Sequence, residues 1–303
     1  MKWKRILKWA TGLVAVVVGL AVVVFGYQIV SFNRSIMEEY DVLPLDIVAS
    51  TDSAVLARGR HLAESIGGCL GCHGPGLAGS PGEDIGPIAK LRPPNLTTGR
   101  GGVGGDYTDG ELARAVKHGI DSDGRTLLFM PSREYNWWPE SDLVAVVSFV
   151  RSLPPVDGET EPSSVGLVGK VLSQFGLMDL RSAAAIDHYA EPDDVPDPEP
   201  TARYGGFLSR GCTGCHGERL SGGRIPGAPS SLATPANLTF HETGLAGWTR
   251  EDFDTVLNTG VRPDGRELDP FMPIVSTRAM NEIEKTALWE YLRSIDPVEF
   301  GNR

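Results

Sequence analysis

The sequence predicts an all-α protein in which an N-terminal membrane-spanning helix is followed by two tandem helical domains. Three observations predict it. One pentapeptide occurs twice, as Cys69-Leu70-Gly71-Cys72-His73 and as Cys212-Thr213-Gly214-Cys215-His216. Much of the remaining sequence falls into register around these copies, with apolar residues at helical spacing in each. An uncharged run from Trp9 to Val30 precedes both and is long enough to cross a bilayer.

That run follows Lys2, Lys4, Arg5 and Lys8 and is dominated by Val, Leu, Gly and Ala. A secretory signal peptide has a shorter apolar core and a small-residue cleavage site. Here the run ends Phe25-Gly26-Tyr27-Gln28-Ile29-Val30, with no clear A-x-A. The expectation is an uncleaved signal-anchor, residues 1–34 forming the cytoplasmic basic flank and the span. The positive-inside rule then places everything after about residue 34 on the periplasmic side of a bacterial cytoplasmic membrane, as a single-pass protein.

Charge narrows the partners. The chain has 28 Lys and Arg against 39 Asp and Glu. Five of the basic residues and no acid lie in residues 1–34, so the exported part holds 28 − 5 = 23 basic residues and a formal charge of 23 − 39 = −16. Nucleic acid is excluded as a partner, because it demands a basic face. Much of the acidity sits in Asp187 to Glu199, including Asp193, Asp194 and Asp197 with prolines at 192, 196 and 198, which reads as an extended inter-domain spacer. An acidic surface of this kind steers a basic redox partner in a salt-dependent way. The apolar stretch Val165 to Met178 is too short to span and is expected to pack between the domains or on a partner.

From the pentapeptides onward the repeat holds an offset of 141 to 143 residues. Asn95-Leu96-Thr97 answers to Asn237-Leu238-Thr239, Asp123-Gly124-Arg125 to Asp264-Gly265-Arg266, and Phe129-Met130-Pro131 to Phe271-Met272-Pro273. Upstream, Gly59-Arg60-His61-Leu62 answers to Gly205-Gly206-Phe207-Leu208. The resulting division is a connecting segment 35–52, a first domain 53–156, an acidic Pro-rich linker 157–200 and a second domain 201–300. Within each unit, Thr108 to Glu111 and Thr249 to Asp252 have the form of capping boxes. The helices they open carry Leu112, Ala115 and Val116, or Phe253, Val256 and Leu257, at i, i+3, i+4, and end at Gly119 and Gly260. A closing helix is expected over roughly 140–152 and 282–294, with Leu143, Val146, Val147 and Val150, or Ile283, Leu288, Tyr291 and Leu292, on one side. Gly and Pro between these helices suit a backbone that wraps a flat group instead of forming sheet.

The pentapeptides supply the chemistry. C-x-x-C-H is the attachment signature of haem c: the thiols reach two vinyl groups of one porphyrin and the next residue brings an imidazole to the iron. Cys69, Cys72, Cys212 and Cys215 are therefore expected to bind two covalent haem c groups, with His73 and His216 on the irons. A redox dithiol or half a zinc site explains the cysteines but not the histidine appended twice. Disulfides suit an exported protein but give no reason for the second pentapeptide to copy the first.

Each iron needs one more ligand, and sulfur there raises the potential. Met130 lies 57 residues after His73 (130 − 73) and Met272 lies 56 after His216 (272 − 216), each followed by proline. Met1, Met37 and Met178 have no counterpart, and the position of Met280 is held by Trp138. An isolated methionine is ordinarily a core filler; two in register point to ligation. Among the histidines, His61 is replaced by Phe207 and His118 by Thr259, and His188 and His241 have no histidine partner, which argues against bis-histidine haems. The loops at Pro87 and Pro226 are the expected source of carbonyls for the imidazole N–H groups, and Arg125 and Arg266 are candidates for haem propionates.

Together these residues resemble the membrane-anchored di-haem c-type cytochromes built from class I cytochrome c domains, particularly cytochrome subunits of alcohol and aldehyde dehydrogenases and of respiratory complexes. The resemblance rests on C-x-x-C-H followed by Gly, on Pro94-Asn95-Leu96-Thr97, D-G-R, F-M-P and the closing Phe149 to Pro154. It implies a compact helical fold around each haem, His73 and His216 as proximal ligands and Met130 and Met272 as distal ones. The second copy departs in having Ala236 before Asn237 and Asp296 in place of Pro154. Those dehydrogenase subunits commonly carry three haem units, where this chain has two.

The function expected is electron transfer and not catalysis, so no catalytic residue is assigned. The donor would be a dehydrogenase or a quinol-oxidising complex, and the acceptor a soluble cytochrome or a terminal oxidase; a di-haem subunit of a cbb-type oxidase is a close variant. The competing reading is a haem enzyme, such as a di-haem peroxidase or a thiosulfate dehydrogenase. A peroxidase needs an open distal position, and thiosulfate chemistry a spare cysteine or an unusual ligand; neither is visible.

Overall fold

The computed structural model describes residues 2–190, 194–226, 228 and 232–303, so Pro192 and Asp193 of the acidic stretch lie outside the described residues. The fold is mostly helical and begins with one long apolar helix, α1 (Lys2–Ser35), whose most apolar 18-residue window has no residue buried inside the protein. The following segment runs extended along the first helical unit. It is held there by backbone amides, Tyr40 donating to Gly124 O at 2.8 Å and Ala49 to the Asp109 carboxylate at 2.7 Å.

The first unit comprises α2 (Ser53–Glu64), α3 (Cys69–His73), α4 (Asp109–His118) and α5 (Glu140–Ser152). Asp52 caps α2 by accepting from the amides of Ala54 and Val55. Thr108 and Glu111 form the expected capping box on α4, and Gly119 closes that helix in the left-handed conformation. Leu62, Leu112, Leu143, Val146, Val147 and Trp138 bury a common core between these helices. Burying a side chain of this size contributes roughly 1.5–3 kcal/mol.

One departure from a purely helical scheme is a small antiparallel sheet in the order β1 (Glu83–Ile85), β2 (Ala89–Leu91), β3 (Ser164–Val165), with Ala89 opposite Val165. β3 brings the chain back after α5, and α6 (Leu167–Gln174) then packs on the end of α1. Leu180, Ala183 and Ile186 are buried, so the part of the 157–200 linker that precedes the acidic run is folded against its neighbours. The reason is local apolarity: these side chains gain more from burial than an exposed tether would.

The second unit comprises α7 (Ala202–His216), α8 (Arg250–Thr259), α9 (Ile274–Ala279) and α10 (Glu282–Ser294). Thr249 and Asp252 form its capping box and Gly260 its left-handed stop. Tyr204, Phe207, Leu208, Leu245, Phe253, Leu257, Leu288, Trp289 and Leu292 form its core. Ile283, placed on the apolar side from the sequence, is 43% exposed, whereas Glu284 is 1% exposed. Glu284 completes a capping box with Asn281, and that local bond turns the helix.

α2 crosses α5 as α7 crosses α10, at a point where only glycine fits. A Cβ on Gly59 would stand 1.9 Å from Ala145 O, and one on Gly205 would stand 1.9 Å from Ala287 O. Two helices approach backbone to backbone there, which establishes Gly59 and Gly205 as equivalent positions.

Candidate haem sites

Cys69, Cys72 and His73 occupy the whole of α3, and Cys212, Cys215 and His216 the last turn and a half of α7. Positions i, i+3 and i+4 of a helix share one face. Both thiols and the imidazole of each pentapeptide therefore point the same way. The cysteines are free. Burial pushes Cys69 up to about 12, helped by its neighbour Cys72, and Cys212 up to about 12, helped by Glu134 and Cys215. Thiols so held are protonated at neutral pH, unlike the low-pKa thiolate of a redox dithiol. Among the described residues no three His, Cys, Asp or Glu side chains gather as a metal cluster.

The histidines are buried and oriented alike. His73 Nδ1 lies 2.8 Å from Pro94 O, and His216 Nδ1 lies 2.7 Å from Ala236 O. A carbonyl only accepts, so Nδ1 carries the proton and Nε2 keeps its lone pair for a metal. Burial lowers both imidazole pKa values, which favours the neutral form a metal needs. The carbonyls come from Pro94 and Ala236, not from the loops at Pro87 and Pro226. The bond uses the backbone, so replacing proline by alanine at 236 leaves it intact.

A buried clamp sets those carbonyls, and the sequence offered it only as a marker of resemblance. Asn95 Nδ2 donates to Val156 O at 2.7 Å, while Asn95 Oδ1 accepts from the Thr97 amide at 2.9 Å and the Thr97 hydroxyl at 2.8 Å. Asn237 and Thr239 repeat this against Val298 O at 2.7 Å with the same 2.9 and 2.8 Å bonds. Thr97 Oγ1 in turn accepts from the Val156 amide and Thr239 Oγ1 from the Val298 amide, each at 3.0 Å. The signal lay in the repeat itself, which kept N-L-T in register.

Met130 and Met272 are half-buried in turns just before Ser132–Glu134 and α9. In the first unit the turn is tied to the pentapeptide: Tyr135 OH donates to Gly67 O at 2.7 Å. Phe129, next to Met130, adopts a left-handed φ of 66° and its amide reaches Leu180 O at 3.2 Å, so the folded stretch after α6 props this turn. Arg125 and Arg266 differ in setting. Arg266 pairs with Asp264 at 2.5 Å on the surface, and Arg125 lies 3.9 Å from Asp123. The remaining histidines take other roles: His118 Nδ1 meets His188 Nδ1 at 3.1 Å, and His241 Nδ1 meets Thr243.

The two units touch through their pentapeptides. The Glu134 carboxylate lies over Gly214 and accepts from its amide, and burial raises its pKa to about 7, with nearby Glu218 adding to the rise and Arg133 opposing it. Reciprocally, Gly68 abuts Ser276. Glu134 and Ser276 are equivalent positions of the repeat (276 − 134 = 142), so each pentapeptide, directly or through the residue before it, rests against the short helix that follows the other unit's methionine turn. Trp137 packs edge-on to Phe207 at 4.4 Å, and His61 Nε2 meets Glu284 Oε1 at 2.7 Å. Arg133 reaches Glu218 at 2.9 Å.

A face bearing two thiols and one fixed imidazole is the arrangement that the haem c attachment signature calls for. Residues 54–150 match the family described as cytochrome C oxidase, cbb3-type, subunit III, so this chain carries a cytochrome c domain, which implies covalently bound haem c. Along most of its length the chain is similar to cytochrome c subunits of dehydrogenases. It is 26% identical over 277 residues to the cytochrome c subunit of alcohol dehydrogenase (quinone) from Gluconacetobacter polyoxogenes, covering 82% of this chain and 57% of that protein. It is 23% identical over 262 residues to the fructose dehydrogenase cytochrome subunit of Gluconobacter japonicus, covering 82% and 54%. It is 25% identical over 280 residues to the gluconate 2-dehydrogenase cytochrome c subunit of Pantoea cypripedii, covering 80% and 60%. The chain thus spans a little over half the length of these relatives.

Proposed function

We propose that this protein is a membrane-anchored di-haem cytochrome c that carries electrons from a dehydrogenase to a periplasmic or membrane-bound acceptor. His73 with Met130 and His216 with Met272 would hold the two irons, Cys69, Cys72, Cys212 and Cys215 would attach the porphyrins, and α1 is the anchor. The observation that carries this is the same imidazole, fixed twice by a backbone carbonyl with Nε2 left free. The kinship with dehydrogenase cytochrome subunits supports a dehydrogenase as donor.

Haem c held between imidazole and thioether supplies one-electron chemistry and leaves no vacant position for substrate. The chain's own residues do the rest. Asn95 and Asn237 hold the carbonyls that orient the imidazoles, and Tyr135 holds one methionine turn against its pentapeptide. The reciprocal seating of each pentapeptide on the other unit's turn supports an internal path between the centres. A peroxidase is disfavoured by the two methionines in register, since one iron would then need a displaced ligand.

Three measurements test the proposal. Pyridine haemochrome analysis of protein matured in competent cells should give two covalent haems per chain, and the oxidised protein should show the near-infrared sulfur-to-iron band at both. Met130→Ala or Met272→Ala should leave the haem attached and lower the potential of that centre alone, by on the order of 100 mV within the ~0.8 V that axial ligands span. A redox titration unchanged in either variant overturns the ligand assignment.

A further inference from the structure

The eight residues of α6 have their amphipathic pattern turned inside out. The face packed on the protein carries Gly169 and Ser173, where a Cβ on Gly169 would stand 2.2 Å from Ile88 O. The large apolar residues point away: within the helix Leu167 is 64% and Val168 43% exposed, and just beyond it Phe175 is 51% and Leu177 45% exposed. Val168, Leu172 and Phe175 recur at i, i+4, i+7, a single stripe. A helix that hides its small residues and displays its large ones is built for a non-aqueous neighbour.

A third face of α6 says what that neighbour is. Lys170 Nζ donates to Asn33 Oδ1 at 2.7 Å, and Ser31 Oγ donates to Gln174 Oε1 at 3.4 Å. Phe32, fully buried, lies beneath the cations of Lys170 and Arg181. These α1 residues directly follow the uncharged stretch that ends at Val30. At 1.5 Å per residue, Trp9 to Val30 measures about 31 Å, the thickness of a hydrocarbon core, and Ser31 to Asn33 fall within the next ~5 Å. α6 is thus pinned against α1 at the height of the lipid headgroups.

We propose that α6 and the turn after it form a second membrane contact, with Leu167, Val168, Phe175 and Leu177 inserted into the outer interfacial layer of the bilayer that α1 crosses. Lys170 and Arg181 then stand at phosphate level, the usual arrangement of an interfacial helix. Because β3 joins α6 to the first unit, this contact holds that unit at one orientation to the membrane instead of leaving it on a tether. The inference rests on α1 as an anchor.

The test uses the full-length, haem-loaded protein in phosphatidylcholine nanodiscs containing a small fraction of phospholipid with a photoactivatable diazirine near the top of its acyl chain. After irradiation and digestion, label is expected on α1 peptides and on the peptide spanning 165–178. The double variant Val168→Asp, Phe175→Asp should lower labelling of 165–178 at least five-fold with α1 labelling and haem content unchanged. Label on α1 alone overturns the second contact while leaving the anchor standing. Label on neither overturns the anchor and this inference together. Label on 165–178 that the double variant leaves intact also overturns it, because the apolar side chains are then not what reaches lipid. The wild-type pattern decides even if the double variant fails to mature.

Discussion

The two units differ most in how the chain arrives at its pentapeptide. From the helix crossing at Gly205, α7 runs unbroken through Cys212 to His216. From the equivalent Gly59 the chain takes three more residues to reach its first cysteine (69 − 59 against 212 − 205), and the helix breaks at Ser65 to Gly68, with Gly68 left-handed at φ 56°. The imidazole side of both units is nevertheless alike: the same imidazole bond, the same Asn–Thr clamp, the same crossing. The break spends its extra residues on the other side. Ile66 packs on both cores, Gly67 O accepts from Tyr135, and Gly68 meets Ser276. A duplicated unit has kept what surrounds its pentapeptide imidazole and changed what faces its twin. Asp142 and Glu284 show the same lesson at equivalent positions: Asp142 pairs with Arg58 of its own unit at 2.9 Å, Glu284 with His61 of the other.

The sharpest way to break this comparison is at the shared crossing. Gly59→Ala and Gly205→Ala should each destabilise by about 3 kcal/mol or more, because backbone cannot retreat from a Cβ at 1.9 Å. Denaturant unfolding in which one of the two is tolerated would show that the crossings are not equivalent. Next, Asn95→Ala and Asn237→Ala should each cost about 2 kcal/mol by orphaning buried groups. Each should also perturb the haem spectrum of its own unit only; equal perturbation of both would dissolve the separation of the sites.

Smaller effects sharpen the difference between the units. His61→Phe copies Phe207 into the first unit and removes the partner of buried Glu284, an expected loss of about 1–2 kcal/mol in thermal unfolding, whereas replacing half-buried His241, whose partner Thr243 is exposed, by Phe should be near neutral. The smallest is a pH effect confined to one of the two reciprocal contacts. Glu134 ionises near 4.5 when free and near 7 when folded, so its contribution is fully present below 4.5 and is lost as pH rises through 7. Wild type should therefore lose about 1 kcal/mol relative to Glu134→Gln between pH 4.5 and 7, discounted for partial solvent access, with no further change above. Ser276, in the reciprocal position, has no such carboxyl, and Ser276→Ala should leave the pH profile untouched.

Much was legible in the chain because it is local. Capping boxes at Thr108 and Thr249, stops at Gly119 and Gly260 and the closing helices Glu140–Ser152 and Glu282–Ser294 form where spacing placed them. The imidazole partner was right in kind and wrong in residue, since a carbonyl leaves no side-chain signature. Ile283 was misplaced because a capping bond at Glu284 outweighed apolar periodicity. The sheet formed by β1, β2 and β3 was illegible, because three residues opposite three, closed by a strand some 70 positions away, carry no period to read.

By itself, then, the sequence determined everything set within one turn of chain: two thiols and an imidazole on a common helical face, and the repetition of that face. Tertiary structure alone decided which pentapeptide rests on which methionine turn, that Glu284 answers to His61, and that α6 shows its apolar side outward beside α1. Those outcomes depend on burial and on contacts between residues 80 (214 − 134) to 223 (284 − 61) positions apart, and such contacts are chosen by packing, not by spacing.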